Sequence, residues 1–164
     1  MQAATSHVLP RRAPVAAPLV FDRDGGLNIR SVLASEPGVV ELMVSGLFNA
    51  SAARALQHTV SQSMASGDDV CGVMVDLRRA TILIDAASVP LPQLDMLEPP
   101  QHLKPIALVV PAVSEAAFRR WAWEGSIAGL TLAVFVDAEE ALAWIRARAR
   151  LAARSGRSRV YRDA

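Results

Sequence analysis

From Val39 onward, short apolar segments alternate with segments whose apolar residues recur at helical spacing. The strand-like segments are Val39–Val44, Val70–Leu77, Pro105–Pro111 and Thr131–Val136, and the helix-like segments are Leu47–Met64, Ser114–Glu124 and the stretch after Asp137. Parallel strands need crossover connections, which are usually helices. The alternation therefore predicts an α/β fold whose mixed, mostly parallel central sheet has about four to five strands and flanking helices.

The segment before this alternation is harder to assign. Leu19–Asp22 is a short strand candidate, and the Asp-Gly-Gly that follows favours a turn. Leu27–Leu33 is either a second extended segment or part of a loop. We expect residues 1–18 to be a disordered leader, 19–152 to be one domain, and 153–164 to be a frayed basic tail.

Length and composition restrict the class of protein. A chain of 164 residues, 52% of them apolar and 20% charged, suits one well-packed globular domain. Its apolar runs are far shorter than the roughly 18 residues of a membrane helix. Cys71 stands alone, so no disulfide framework forms, and the N-terminus lacks a signal-peptide layout. We expect a cytoplasmic protein without a membrane span.

Catalytic signatures do not occur in the sequence. It contains no phosphate-binding glycine loop and no GxSxG nucleophile turn. His7, His58 and His102 lie far apart, and no chelating partner stands near any of them, so we predict no metal site. No nucleophile can be paired with a base from spacing alone. The sequence therefore predicts a protein that is not an enzyme and needs no cofactor.

Three aspartates stand near predicted strand ends or helix starts, where ligands of α/β proteins usually bind. Asp137 with Glu140 has the spacing of a capping box, and Asp85 also suits a helix start. Asp76 is followed by Arg78 and Arg79, so this group forms either an exposed loop or a grip for an anion.

The second helix-like segment, Ser114–Glu124, carries aromatic residues on two sides. Ser114 is its expected cap, and Val113 with Phe118 has the spacing of a hydrophobic staple. Trp121 lies one turn after Phe118 and is predicted to be in the core. Trp123 cannot share that face, so we expect it to be partly exposed and a candidate interface residue.

Charge is distributed unevenly along the chain. From Ile145 to the end there are seven arginines and one aspartate, or +6, whereas residues 1–144 carry ten basic and fifteen acidic side chains, or −5. Arg146, Arg150 and Arg154 follow i, i+4 spacing and form a candidate anion-binding tail. Without a nucleic-acid module, a solvated helix end is preferred over nucleic-acid or lipid binding.

In combination, the segments VMVDLR, PIALVVP and VFVDAEEALAWI make residues 39–149 resemble a STAS domain of the stand-alone bacterial, SpoIIAA-like branch. This resemblance implies a single STAS-like domain. It also implies that the loop Arg78–Ser88 and the helix after it contact a protein partner, with Arg78, Arg79, Thr81, Asp85 and Ser88 as candidate residues.

The same resemblance implies a serine after the Ile-Asp pair, which a kinase phosphorylates in anti-sigma factor antagonists. When Ile84-Asp85 is matched to that pair, Ala86 and Ala87 occupy the acceptor positions, and alanine has no oxygen to modify. Ser88 comes one or two places late, and a helix turns by about 100° per residue. The usual phosphorylation switch is therefore not expected.

Two functions follow as hypotheses. The first is a non-enzymatic regulatory domain that binds a protein partner or a second copy of itself as a homodimer. The second is a carrier or sensor of a small apolar ligand, in which the proline-rich segment Val89–Pro105 forms a lid.

Overall fold

A computed structural model describes residues 20–21, 26–33, 37–65, 69–83, 104–127 and 129–160. The strands are β1 (Val20–Phe21), β2 (Asn28–Leu33), β3 (Val39–Phe48), β4 (Gly72–Ile82), β5 (Ile106–Val109) and β6 (Leu132–Phe135). The helices are α1 (Ala50–Ala65), α2 (Glu115–Ile127) and α3 (Ala138–Val160). A 3-10 turn, Ala112–Ser114, precedes α2.

The strands form one sheet in the order β1-β2-β3-β4-β5-β6. The first two pairings are antiparallel, and β3 through β6 are parallel. The predicted fold class is confirmed, although the described sheet has six strands rather than four to five. β2 also shows that Leu27–Leu33 is mostly strand, an alternative that the sequence left open.

The larger core lies between one face of the sheet and helices α1 and α2. Leu42, Val44 and Val75 point into it from the central strands, and each is at most 1% exposed. On the helix side, Phe118 stacks 6.2 Å from Phe48 and 5.9 Å from Trp121 between ring centroids. Trp121 is buried, as the helical spacing predicted.

Helix α3 covers the opposite face. Ala141 and Ile145 are fully buried there against Met74 and Val109. The approach is close at Gly72, where a Cβ would lie 2.6 Å from Cγ2 of Ile145. Helix α3 therefore faces the sheet through Ala141 and Ile145.

Local hydrogen bonds explain where the helices begin and end. Oδ1 of Asn49 accepts the N–H of Ala52 at 2.9 Å, so Asn49 is the residue that caps α1. Oδ1 of Asp137 accepts the N–H groups of Glu139 and Glu140 at 2.8 and 3.0 Å, which confirms its capping role. Gly129, with φ of 92°, ends α2.

The predicted staple at the start of α2 is wrong. Val113 lies in the 3-10 turn and is 94% exposed, so it does not pack on Phe118. The turn places Val113 outward because its backbone has not yet entered the α-helical path. The helix also continues to Ile127, beyond the stop expected near Gly125.

The proposed domain limits stay predictions. Residues 1–18 lie outside the described part of the chain. Helix α3 continues to Val160, so the predicted tail begins within this helix. Among the described residues, no helix is long and apolar enough to cross a membrane.

Candidate interaction surface

Strand β4 is longer than the sequence predicted. It was expected to end at Leu77 and to be followed by a loop, but it continues to Ile82, so Arg78, Arg79 and Thr81 lie on a strand. The physical reason is pairing with β3, which itself extends to Phe48. Ala80 and Ile82 pack against the larger core, whereas Arg79 and Thr81 are exposed on the other side.

A β-bulge interrupts the pairing of β3 with β4. Met43 is opposite Asp76 and Ser45 is opposite Arg79, so two residues of β4, Leu77 and Arg78, face the single residue Val44. A bulge changes which side chains share a face and strengthens the local twist. Here it allows Asp76, Arg78 and Arg79 to come close on the α3 side of the sheet.

Asp76 and Arg78 form an ion pair at this bulge. The carboxylate accepts the N–H of the Arg78 main chain at 3.0 Å, its Nε–H at 3.0 Å and an N–H of its terminal NH2 at 2.7 Å. Asp76 is 7% exposed, whereas 44% of the Arg78 side chain remains exposed. Three donors thus compensate a buried carboxylate, and the outer part of the guanidinium reaches the surface.

These contacts shift both pKa values. Burial alone would raise the pKa of Asp76, but the hydrogen bonds and charge of Arg78, with a contribution from Arg79, lower it below the ordinary value. The hydrogen bond to Asp76 raises the pKa of Arg78, helped by the charges of Asp137 and Glu41. The pair is therefore fully ionised at neutral pH.

Glu41 on β3 lies close enough to respond to this pair. Burial and the negative charge of Asp76 raise the pKa of Glu41, and Arg78 opposes that shift. Glu41 was not predicted as a site residue from the sequence. The sequence feature that could have indicated it is a charged residue next to the buried Leu42 within an apolar strand.

Arg78 and Arg79 do not lie side by side around a common anion site, as the predicted anion-binding group would require. Two nitrogens of the Arg78 guanidinium already bind Asp76, whereas Arg79 extends into solvent. A role of these residues in binding stays a prediction. Asp85 and Ser88, with Ala86, Ala87 and the proline-rich segment up to residue 103, lie outside the described residues.

The second half of β4 is unpaired on its β5 side within the described part of the chain. β5 pairs only with Val73–Asp76, whereas β4 runs on to Ile82. Exposed apolar residues follow the ends of three parallel strands: Leu83 after β4 at 42% exposure, Val113 after β5 at 94%, and Val136 after β6 at 41%. We call Arg79, Thr81, Leu83, Val113 and Val136 the carboxyl edge.

A ring contact joins the end of β4 to α2. Phe48, which is paired with Ile82 at the end of β4, lies 6.2 Å from Phe118, one turn into α2, between ring centroids. The negative charge of Asp137, which directly follows Val136, contributes to the raised pKa of Arg78. These proximities depend on the order of the strands in the sheet and were not predicted from the sequence.

The predicted aromatic and basic candidates lie elsewhere. Trp123 is 65% exposed on α2, so its predicted exposure is confirmed, while an interface there stays a prediction. Arg146 and Arg150 are exposed on α3, and Arg154 lies on the same helix. The guanidinium carbon of Arg148, between them, is 5.6 Å from the ring centre of Trp144.

A small apolar cavity of about 40 Å³ lies between α1, α2 and the sheet. Leu56, Val60, Leu108 and Trp121 are among the residues that line it. The buried Nε1–H of Trp121 has no hydrogen-bond acceptor among the residues that the structure describes. The cavity has room for a water-sized group rather than an acyl chain. The predicted lid cannot be placed over it, because residues 89–103 lie outside the described residues.

Within the described ranges, no group of three or more histidine, cysteine, aspartate or glutamate side chains could hold a metal ion. His58 is exposed on α1. His7 and His102 are outside the described residues. Cys71 is half-buried and forms no disulfide bond.

No family model matches the chain, and no curated protein matches it. Among solved structures, it is similar to an anti-sigma factor antagonist from Mycobacterium paratuberculosis, with 18% identity, a TM-score of 0.47 and coverage of 72% of this chain and 94% of that one. It is also similar to an uncharacterized protein with a SpoIIAA-like fold from Shewanella loihica PV-4, with 15% identity, a TM-score of 0.46 and coverage of 77% and 98%.

Proposed function

We propose that this protein is a non-enzymatic, cytoplasmic regulatory domain that binds a protein partner through its carboxyl edge. The observation that carries the proposal is that exposed apolar side chains follow the ends of three parallel strands. Val113 is the most exposed of them at 94%. When a partner removes an exposed apolar side chain from water, the free energy of the complex falls. In the free protein, the same side chain contributes little to the stability of the fold.

The polar residues of the carboxyl edge suit the rim of such a contact. Arg79 and Thr81 are exposed on the strand that leads to Leu83. Arginine is common in protein interfaces because its planar guanidinium forms bidentate hydrogen bonds with carboxylates and also covers apolar surface.

The ion pair of Asp76 and Arg78 orders the strand that carries the polar residues of the carboxyl edge. Its three hydrogen bonds fix the main chain at the bulge immediately before Arg79. A strand that is already ordered loses less conformational entropy when a partner binds. We assign Asp76 and Arg78 a positioning role and Arg79, Leu83 and Val113 the contact role.

We further propose that binding is not controlled by phosphorylation at the positions where the resemblance would place it. Ala86 and Ala87 have no hydroxyl group. Mass spectrometry of peptides that cover residues 84–103, from protein isolated from its source, should show no phosphate. A phosphorylated Ser88 that is lost in Ser88→Ala and controls partner binding would contradict this part of the proposal.

Affinity capture tests the contact surface. The intact chain, Val113→Glu and Arg79→Glu serve as baits, and captured proteins are identified by mass spectrometry. Arg54→Glu is the matched control, because Arg54 is exposed on α1 rather than at the carboxyl edge. We expect a protein that the intact chain and the control retain and that both edge variants lose. Equal retention by all four baits would overturn the proposed surface.

A small-ligand carrier is the second candidate, and the Nε1–H of Trp121, which has no acceptor among the described residues, supports it. The cavity that Trp121 lines, of about 40 Å³, would have to widen to admit such a ligand. A ligand of this kind would present a hydrogen-bond acceptor on an otherwise apolar body. Native mass spectrometry of protein purified from its source should then show a retained small molecule that Trp121→Phe loses. An unliganded mass in every preparation would rule out carriage.

A further inference from the structure

Strand β6 forms one edge of the sheet and is less covered than its neighbour. All residues of β6, Leu132–Phe135, are half-buried, whereas all residues of β5 are buried. β6 pairs with β5 on one side, and no described strand pairs with it on the other. An open strand edge presents unpaired main-chain groups to which another strand can bind.

The hydrogen bonds between the last two strands show which main-chain groups of β6 are directed outward. The carbonyl oxygens of Thr131 and Phe135 accept N–H groups from the β5 side, with N···O distances of 2.8 and 2.9 Å. Main-chain groups alternate in direction along a strand. The N–H and C=O groups of Leu132 and Val134 are therefore directed away from β5, toward the open edge.

This edge lacks the residues that usually prevent strands from pairing. Edge strands commonly avoid pairing through charged side chains, above all lysine, and through proline. The segment from Thr131 to Val136 contains neither a charged residue nor a proline. Its valines and its phenylalanine favour extended strands. The open edge of β6 therefore suits pairing with a further strand.

We propose that β6 binds β6 of a second copy of this chain in antiparallel orientation, with the two-fold axis at Val134. The two copies of Val134 then exchange two main-chain hydrogen bonds. In this register Ala133 lies opposite Phe135, and Leu132 lies opposite Val136. The two-fold symmetry repeats every contact and joins the two sheets into one.

Side-chain size and charge favour a second copy as the occupant. Ala133 gives space to Phe135 of the other copy on the α3 side of the sheet, where Phe135 also lies 5.7 Å from Trp144 between ring centroids. No like charges meet, because the first charged residue after β6, Asp137, lies opposite Thr131. β6 carries none of the residues to which we assigned the partner contact. The proposal therefore goes beyond the proposed function and does not depend on it.

Single cysteines test the register in the full chain. In a Cys71→Ser background, Val134→Cys should form a disulfide-linked dimer under mild oxidation, because the Cα atoms of a hydrogen-bonded antiparallel pair lie about 5.5 Å apart. Val136→Cys is the matched control. Position 136 is more exposed than position 134, but its two copies lie about 14 Å apart along the strands. Equal cross-linking of both variants, or of neither, would overturn the register.

Amide hydrogen exchange tests the same contact without a substitution in β6. In dilute protein the N–H of Val134 should exchange quickly, whereas that of Phe135, which is directed at β5, should be protected. Protection of Val134 should rise with protein concentration, over the range in which sedimentation equilibrium shows a dimer. Protection that is independent of concentration would mean that another segment of the same chain occupies the edge, and it would overturn the proposal. A monomer at every concentration would also overturn it, whether or not the carboxyl edge binds a partner.

Discussion

Removal of the Arg78 guanidinium should destabilise the protein in a pH-dependent way. Arg78→Leu keeps a side chain that suits a strand but deletes two hydrogen bonds, at 3.0 and 2.7 Å, to the buried carboxylate of Asp76. The main-chain N–H of residue 78 still donates to Asp76. Asp76 then stays buried but loses two of the three hydrogen bonds that compensate its negative charge.

The expected loss at pH 7 is about 2 kcal/mol. Hydrogen bonds to charged groups contribute about 1.5–3 kcal/mol each. Their sum must be discounted because 44% of the Arg78 side chain is exposed and water can take its place. For a chain of this length, the loss lowers Tm by about 4–8 °C.

The sign of the pH dependence follows from the lowered pKa of Asp76. The ion pair stabilises the folded state above the pKa of the unfolded carboxyl, and that contribution disappears as the pH falls through the folded pKa. In Arg78→Leu, the pKa of Asp76 should be higher than in the intact chain, because only the main-chain N–H of residue 78 and the charge of Arg79 then oppose the effect of burial. The difference in stability between the two proteins should therefore shrink below about pH 5.

Urea unfolding of both proteins from pH 3 to pH 8 measures this difference. Arg79→Leu is the control, because the neighbouring arginine is exposed and Asp76 feels only its charge. If Arg78→Leu and Arg79→Leu were equally stable at pH 7, or if their difference were independent of pH, the assigned role of the ion pair would be refuted.

Four further substitutions test other parts of the fold by thermal or urea unfolding. Gly46→Ala should cost about 3 kcal/mol, since φ is 92° and a Cβ would collide with the carbonyl of Gly26. Gly129→Ala, with the same φ and open space around the Cβ, should cost only about 1 kcal/mol, and equal losses would contradict the collision. Asp137→Ala should cost about 1 kcal/mol through loss of the α3 cap, and no change would show that the cap is unimportant. Glu41→Gln should stabilise the protein at pH 7, because the folded pKa of Glu41 is raised, and the gain should vanish as the pH falls below the pKa of the unfolded carboxyl; a loss at pH 7 would contradict the shift.

The sequence predicted those features that depend on local chemistry. Strand β5 lies between Pro105 and Pro111, and its uninterrupted apolar run needs no tertiary information to be recognised. The cap at Asp137 likewise depends only on a side chain and the amides of the next helical turn. Burial of Trp121 follows from its helical spacing to Phe118.

The sequence did not predict features that require a neighbouring strand. Two arginines after Leu77 resemble the start of a loop, but pairing with β3 continues β4 to Ile82. The alternation of the polar Arg79 and Thr81 with the apolar Ala80 and Ile82 is typical of a strand. It was not recognised because the bulge shifts the two-residue period of β4 between Asp76 and Arg79. The staple at Val113 failed for a related reason, because a 3-10 turn changed the direction of its side chain.

The most direct test of protein binding at the carboxyl edge is a calorimetric titration of the captured partner, purified, into the intact chain and into Val113→Glu. Val113 is 94% exposed, so the substitution leaves the fold unchanged. We predict that Val113→Glu raises the dissociation constant by about tenfold or more, the usual effect of a charge buried at the centre of an interface. Arg54→Glu should bind as the intact chain does. Equal affinity for the intact chain and Val113→Glu would contradict the account.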